Sequence, residues 1–463
     1  MIKSKMKTIK RKRNSANVTN TKKKHTTKVN GQRYNTKNGW IKIKIYGNPF
    51  ERGYAHGFLL RKELQKIRNE ILPFLVENNF HISYEKYEKD CHVNITEKIR
   101  EKYPEYYEEL QGISAGASAN SDSEKNTITI HFLIAWNSFL SMASFYDRRS
   151  AVDHCSAFIA IGDATEDSNI VMAHTTHSDF VSAKTLNIVM EITPEKGNKI
   201  KMQTSPGLIC SSSDWFICDN GIIGCETTIG GINYKPEFGI PYYCRIREAM
   251  QYGNTLDDYV TIMTKDNAGD YAGSWLLGDT REKSKEIMLL EIGLHTKNIE
   301  RKTNGIFYGM NSAISPKIRE KETNDTSHWD MNETSGARNI RFHLLLYEQY
   351  YGKLNINNAK TILGDHYDVS QTKETKGNTL TICKHTNLDS RKSILRPSFY
   401  PFGCTDGKVI NTKLARKMSF VGRIGPACGT PFYARTFLEK HPRYKKEWEK
   451  VLPDMLTEPW TMV

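Results

Sequence analysis

The chain has 463 residues, 38% of them hydrophobic, and a formal charge of +14. That length allows one large domain or two to three smaller ones. No run approaches the roughly eighteen consecutive apolar residues of a membrane span, and the first residues lack an apolar signal core. The composition therefore points to a soluble, intracellular, cytoplasmic protein, with a nuclear location open from its basic start.

The charge is unevenly spread. Residues 1–40 hold thirteen Lys/Arg and no Asp/Glu, which leaves 53 basic against 52 acidic residues in the remainder. Residues 1–38, with Lys10-Arg11-Lys12-Arg13 and Lys22-Lys23-Lys24, are almost free of large apolar groups. Such a segment cannot bury enough surface to offset its ordering entropy, so a disordered tail is expected. It reads either as a nuclear address or weak contact to nucleic acid or acidic surfaces, or as a solvated appendage. The nine cysteines, at 91, 155, 210, 218, 225, 244, 383, 404 and 428, include no C-x-x-C pair. The odd count suits free thiols better than a disulfide framework, and neither zinc nor another cofactor is expected.

From Trp40 the pattern becomes globular. Residues 41–46 alternate as a strand, and a helix follows whose apolar positions (Leu60, Leu64, Ile67, Ile71, Leu75) recur at helical spacing. Further helices are expected near 104–117 and 128–141. A β-hairpin is expected from Cys155, across the turn-forming residues 163–169, to a second apolar run at 170–173. Strands are expected at 185–192, 199–204, 215–219 and 221–228, helices at 241–252 and 255–265, and strands again at 274–277 and 287–292. The block Phe307 to Ser312 ends a strand in a polar turn before a charged loop at 317–333. Helices at 337–350 and 356–365, a turn-rich stretch at 403–408 and a helix at 430–439 complete the pass. The order suggests an α+β protein with stacked layers. Neither a G-x-G-x-x-G, a Walker loop, an H-E-x-x-H nor a G-x-S-x-G is present.

The stretch with chemical promise is Asp153-His154-Cys155-Ser156-Ala157-Phe158. It places a thiol at the first residue of a strand, with His174 and His177 expected where the partner strand runs out. A thiol beside imidazoles can form a nucleophile with accessory groups, although a cysteine is also among the most buried residue types.

That stretch, followed by a strand and Met172-Ala173-His174, resembles the autoproteolytic acyltransferase/hydrolase family (peptidase family C45), which is related to the phospholipase B-like proteins. Asn48-Pro49-Phe50-Glu51-Arg52-Gly53-Tyr54-Ala55-His56-Gly57 is similar to the family's opening. Cys225-Glu226-Thr227-Thr228 and Asn267-Ala268-Gly269-Asp270-Tyr271 resemble its middle blocks, and residues 359–367, 452–454 and 459–461 its last third. The likeness covers about residues 40–463. It implies the N-terminal-nucleophile hydrolase fold, a four-layer αββα sandwich, with 39–154 as a helical pro-segment joined in one domain to a catalytic part at 155–463.

The resemblance also implies a role for single residues. The precursor would cut its own His154–Cys155 bond, and the freed α-amine would activate the Cys155 thiol. Asn311 would donate to the oxyanion, with Asn267 as second choice. Arg338 would stand beside the nucleophile, with Arg341 as its rival, and His174 would orient the nucleophile or bind substrate. After His174 this chain has Thr175-Thr176-His177 where the phospholipase B-like relatives carry Asn-Thr-Trp, and Asp179 is a loose counterpart of an acyltransferase aspartate. The expected activity is hydrolysis or transfer of a small-molecule amide or thioester acyl group, the two fragments staying partners. The alternatives are a lipid acyl hydrolase, or a non-catalytic binding protein on the same fold.

Overall fold

The computed structural model describes residues 28–463 apart from 37, 120–126, 147–154, 212 and 393–395. Most of the basic segment, and His154 on the upstream side of the expected cut, lie outside the described residues. The chain is a mixed α/β structure with two large sheets.

The first sheet has nine strands, in the order Gly31–Asn35, Ile41–Gly47, Ile188–Pro194, Ile200–Thr204, Trp215–Cys218, Ile222–Thr228, Gly273–Asp279, Glu286–Ile292, Lys297–Lys302. Only the second and third of these run parallel. The second sheet has seven, in the order Gly305–Gly309, Cys155–Gly162, Ser168–Asp179, Asp406–Asn411, Val421–Ile424, Thr461–Met462, with Phe402–Cys404 paired to the far end of Ser168–Asp179.

Apolar clusters bind these layers together. Leu64, Ile67, Phe132, Tyr243 and Met250, all helical, pack on Met190, Phe216 and Leu277 of the nine-stranded sheet. Ile159 and Met172 of the smaller sheet meet Trp215, Ile223, Leu276 and Leu289 of the larger one. On the other face of the smaller sheet, Phe158 and Val171 lie under Phe342, Leu346 and Ile362. The strand Cys155–Gly162 is thus buried on both faces, which is why its sequence reads as a continuous apolar run rather than an alternation.

Several expectations need correction. The N-terminal segment is structured earlier than residue 39, because Gly31–Asn35 pairs antiparallel with Ile41–Gly47. An edge strand needs a ladder of backbone hydrogen bonds more than apolar side chains, and Arg33 ties it down through the Glu63 carboxylate at 2.7 Å. The helix Tyr84–Lys102 was not anticipated, since its buried stripe is only Tyr87, Cys91, Ile95, Thr96 and Ile99 within a highly charged sequence. The stretch 403–408 is not a turn but parts of two strands, Phe402–Cys404 and Asp406–Asn411. Its glycines serve close approach, a Cβ on Gly407 falling 2.4 Å from the Trp460 ring.

The helices Pro49–Leu59 and Pro104–Ala117 cross almost backbone to backbone. The first begins at a capping box, Asn48 with Glu51, and a proline in its first turn. Gly53 and Gly57 lie one turn apart on it, as Gly112 and Gly116 do on its partner. A Cβ on Gly57 would sit 2.0 Å from the Ile113 carbonyl oxygen, and one on Gly116 2.0 Å from that of Tyr54.

Beside this seam lies a buried charge cluster. Glu109 takes hydrogen bonds from Arg52 at 2.7 Å and Arg247 at 3.1 Å. Burial works to raise the Glu109 carboxyl, but Arg247 and Arg52 outweigh it and hold it at about 2. Its stabilising effect is therefore fully present above the ordinary carboxylate range and is lost as pH falls toward 2. Removing one partner leaves buried charge uncompensated, so Glu109→Ala is expected to lose about 3–5 kcal/mol. Urea unfolding at neutral pH measures it, and a loss under 1 kcal/mol would contradict this account.

Candidate active site

Cys155 opens its strand, and the antiparallel register sets it opposite Thr176, with Ala157 opposite His174. Ala157 and Ile159 belong to the cluster between the sheets. Side chains two apart share a face, so Cys155 occupies the end of that same inter-sheet layer. There it lines a cavity together with Asp214, Tyr271 and the apolar Leu75, Trp136 and Phe139.

The partner strand does not run out after Ala173 but continues to Asp179. Its polar residues are tolerated inside because they are satisfied: Thr175 Oγ1 donates to the Asp406 carbonyl at 2.7 Å, and the Thr176 N–H donates to Asp406 Oδ1 at 2.9 Å. His174 and His177, an odd number of residues apart, therefore lie on opposite faces. His174 Nε2 sits 2.9 Å from the Glu226 carbonyl oxygen. A carbonyl only accepts, so this nitrogen carries the hydrogen. Burial, reinforced by Lys408, pushes its pKa well below the ordinary histidine value. His174 is thus a neutral tie between the sheets. His177 Nε2 lies 3.2 Å from the Ile382 carbonyl oxygen on the other side.

Asn311 is at the site, in a different role from the one expected. Its backbone adopts a left-handed φ of 75°, and its Oδ1 accepts from the Cys155 N–H at 3.3 Å and from Arg338 Nη2 at 3.0 Å. Two donors converging on one atom assign it as oxygen. Its Nδ2 donates to the Thr228 carbonyl at 2.9 Å. Asn311 therefore presents an acceptor to the Cys155 nitrogen, while its amide nitrogen is taken by the Thr228 carbonyl.

Arg338 is buried in the helix Thr334–His343. Nε donates to the Thr334 carbonyl, Nη1 to the Cys155 carbonyl at 2.6 Å and Ser156 Oγ at 3.1 Å, and Nη2 to the Met310 carbonyl and Asn311 Oδ1. Burial lowers its pKa to about 9. Its rival Arg341 is paired with Asp365 at 2.6 Å and stacked over Tyr367. Asn267 is not brought to the site. Its amide nitrogen donates to the carbonyls of Gly293 and Leu294 in the loop after the strand Glu286–Ile292, and its oxygen accepts from the Gly269 N–H of its own loop.

Other groups at the site were not anticipated. Tyr271 Oη donates to Glu226 Oε2 at 3.0 Å and lies 3.2 Å from Asp214 Oδ2. Burial raises the Asp214 carboxyl to about 7, and burial with the neighbouring Asp214 pushes Glu226 well above its ordinary value. The pair holds a proton at neutral pH. Burial, then the charges of Glu226 and Asp214, push the Cys155 thiol well up, so it stays protonated in the uncut chain. Lys408, fully buried, donates to Thr176 Oγ1 at 2.8 Å and pairs with Asp406 at 3.1 Å. Glu226 and Tyr271 do fall within the two middle blocks of the resemblance. A cluster with metal-ligand chemistry, His366, Cys383, His385 and Cys428, is separate, none of the four lining this cavity.

With this geometry in place, the likeness to known proteins becomes informative. A model of the phospholipase B family matches residues 62–308, which is the phospholipase B side of the resemblance. Phospholipase-B 81 of Drysdalia coronoides is 25% identical over 327 residues, covering 64% of this chain and 57% of that protein. An uncharacterised protein of Archaeoglobus fulgidus is 23% identical over 271 residues, covering 55% of this chain and 44% of the other. The chain thus spans about half the length of the curated relatives it matches. Among solved structures, a mutant conjugated bile acid hydrolase from Clostridium perfringens aligns at 9% identity and a TM-score of 0.30, over 58% of this chain and 88% of that one.

A carboxyl whose folded pKa exceeds its unfolded value binds more protons when folded, so stability falls as pH climbs from about 4 to about 7. Asp214→Asn should flatten that fall, gaining stability over the parent at pH 8 relative to pH 5. Denaturant melts of both chains at the two pH values measure it, and parallel curves would refute the assignment.

Proposed function

This chain belongs to the phospholipase B family, and on that footing we propose that it is a hydrolase of lipid acyl bonds working through Cys155 as an N-terminal nucleophile. The observation that carries this reading is the placement of Cys155. It stands at the first position of a buried strand, at the end of the layer between two sheets, lining an apolar-walled cavity with Asp214, whose carboxyl burial raises to about 7. The layering of helix, sheet, sheet and helix supports an N-terminal-nucleophile fold, and the self-processing of the C45 acyltransferases is the chemistry that would activate it.

In the first stage the Cys155 thiol adds to the carbonyl carbon of residue 154. The C–N bond breaks, the nitrogen takes up a proton and becomes the α-amine of Cys155, and residue 154 is left as a thioester on Sγ. Water then hydrolyses the thioester, its hydroxyl going to the acyl carbon and its proton to the sulfur. The new amine has an ordinary pKa near 7.7–8.0 and can take the thiol proton at working pH. Asn311 Oδ1, which accepts from the Cys155 nitrogen, would hold an amine N–H and leave the lone pair for the thiol. Arg338 would fix the Cys155 backbone while the amine turns over.

In the second stage the thiolate attacks the acyl carbon of an ester or amide. The leaving oxygen or nitrogen takes a proton, which the carboxyl of Asp214, at about 7, can supply. Water then releases the fatty acid from Cys155. The apolar walls formed by Leu75, Trp136 and Phe139 suit an acyl chain.

Cleavage before Cys155 would divide the 53.1 kDa chain into pieces of roughly 18 and 35 kDa. Intact-mass spectra of the parent are expected to show both, with Cys155 as the new N-terminus, and Cys155→Ala should stay full-length. Fatty acid release from diacyl and lysophospholipids, and from N-acyl amides, should fall by on the order of 10⁴-fold in Cys155→Ala. Equal release by parent and variant would sink the assignment of the nucleophile.

A further inference from the structure

We propose that His366, Cys383, His385 and Cys428 bind one zinc ion that clamps the loop behind Cys155 to the body of the smaller sheet. Each of these residues offers one donor atom, and all these atoms lie within 4.8 Å of one another. His385 Nε2 is 3.5 Å from Cys383 Sγ and 3.4 Å from Cys428 Sγ. A tetrahedral zinc with bonds of about 2.3 Å to sulfur and about 2.0–2.1 Å to nitrogen separates a sulfur from a nitrogen ligand by about 3.6 Å. These two edges from His385 match such a site.

The surroundings are built for an ion. His366 Nε2 is buried without a hydrogen-bond partner, and buried polar atoms are otherwise paired. The His366 ring lies edge-on to that of His385, with centroids 4.9 Å apart. Gly377, at φ 91°, wraps the two rings so closely that a Cβ there would fall 2.3 Å from His385 Cδ2 and 3.1 Å from His366 Nε2. The Thr430 N–H donates to Cys428 Sγ at 3.3 Å, an outer contact that supports a thiolate ligand. Two thiolates and two neutral imidazoles balance a dication, and this mixed sulfur and nitrogen set favours zinc over magnesium or calcium. Four protein ligands close the coordination shell, which marks a structural ion rather than a catalytic one.

Cys404 is the nearby rival. Its sulfur is engaged by Thr175 Oγ1 at 2.8 Å and by the Ala427 N–H at 3.2 Å.

The ligands come from separate places: His366 follows the helix Ile356–Leu363, Cys383 and His385 share a loop, and Cys428 follows the strand Val421–Ile424. That loop touches the candidate active site. The Ile382 carbonyl faces His177 Nε2 and accepts from Ser156 Oγ, and Lys384 Nζ donates to Thr334 Oγ1 at the start of the Arg338 helix. An ion holding Cys383 and His385 would therefore hold the back of the Cys155 strand. The proposal does not depend on the catalytic reading, and its readout is metal content.

The test uses the full chain, purified under reducing conditions and passed through buffer with a weak chelator. Elemental analysis is expected to find about one zinc per chain. The Cys383→Ser/Cys428→Ser double variant should retain little, and Cys404→Ser should retain it in full. To keep the test independent of how the double variant folds, cobalt is also added to the metal-stripped, reduced parent. Tetrahedral cobalt bands with a thiolate-to-metal charge-transfer band are expected. A parent that retains no zinc and gives no thiolate–cobalt band would overturn the proposal. So would zinc undiminished in the double variant, or a Cys383–Cys428 disulfide in the peptide map of the parent.

Discussion

The guanidinium of Arg338 is buried, and among the described residues five hydrogen bonds from it tie together the head of the Cys155 strand, the end of the neighbouring strand and its own helix. A guanidinium carries five N–H donors in a fixed fork, which lets one side chain serve several acceptors at once. The acceptors are three carbonyl oxygens, a hydroxyl and the amide oxygen of Asn311. Without the arginine those acceptors would be buried with fewer partners, each costing roughly 1–3 kcal/mol. The position of Cys155 is therefore set through its backbone, by a charge that burial has already lowered to about 9. That is a different arrangement from a cation held against the sulfur.

Around this anchor the layer between the sheets changes character along its length. Toward its centre it is apolar, with Ile159, Met172, Trp215 and Leu276. Toward Cys155 it becomes polar, with Thr176, Lys408, Asp406, His174, Asp214 and Glu226, all buried. Buried polar groups are costly unless paired, so such a concentration is poor design for stability alone. It does separate the roles of titratable groups by environment. His174 is held neutral by burial, the Asp214–Glu226 pair retains a proton, and the thiol is kept protonated. A free amine at Cys155, absent from the uncut chain, is the group that would change this balance. Under the proposed reading, the apolar walls of the cavity would take the acyl part of a substrate.

Much of the fold was legible because local pattern and final burial agree. The helices Pro104–Ala117, Tyr242–Tyr252 and Leu256–Thr264 and the strands Ile200–Thr204, Trp215–Cys218 and Ile222–Thr228 fall within a few residues of their expected bounds. Misses occurred where context overrides pattern. The helix Tyr84–Lys102 exposes most of its surface, so its buried stripe is too thin to stand out. The Thr175-Thr176-His177 stretch reads as a polar tail but is a strand interior, because Asp406 satisfies it from a position more than 200 residues away. Around Cys155 the structure brings together Asn311 and Arg338, whereas Asn267 and Arg341 are held by partners of their own.

Residue order alone was enough to single out Cys155, to place it at the start of a strand and to show a chain rich enough in apolar periodicity to build layered sheets and helices. These are short-range properties, carried by neighbours within a few turns or strand positions. Which side chains face that thiol is a long-range property. Asp214, Tyr271 and Asn311 gather around Cys155 from three separate loops, Lys408 from the strand Asp406–Asn411 and Arg338 from the helix Thr334–His343. Their protonation follows from burial, which no local pattern encodes. The His366, Cys383, His385 and Cys428 cluster shows the same division, since its spacing matches no metal motif and its ligands meet only when the segment after Val421–Ile424, the helix end and the loop close on one another.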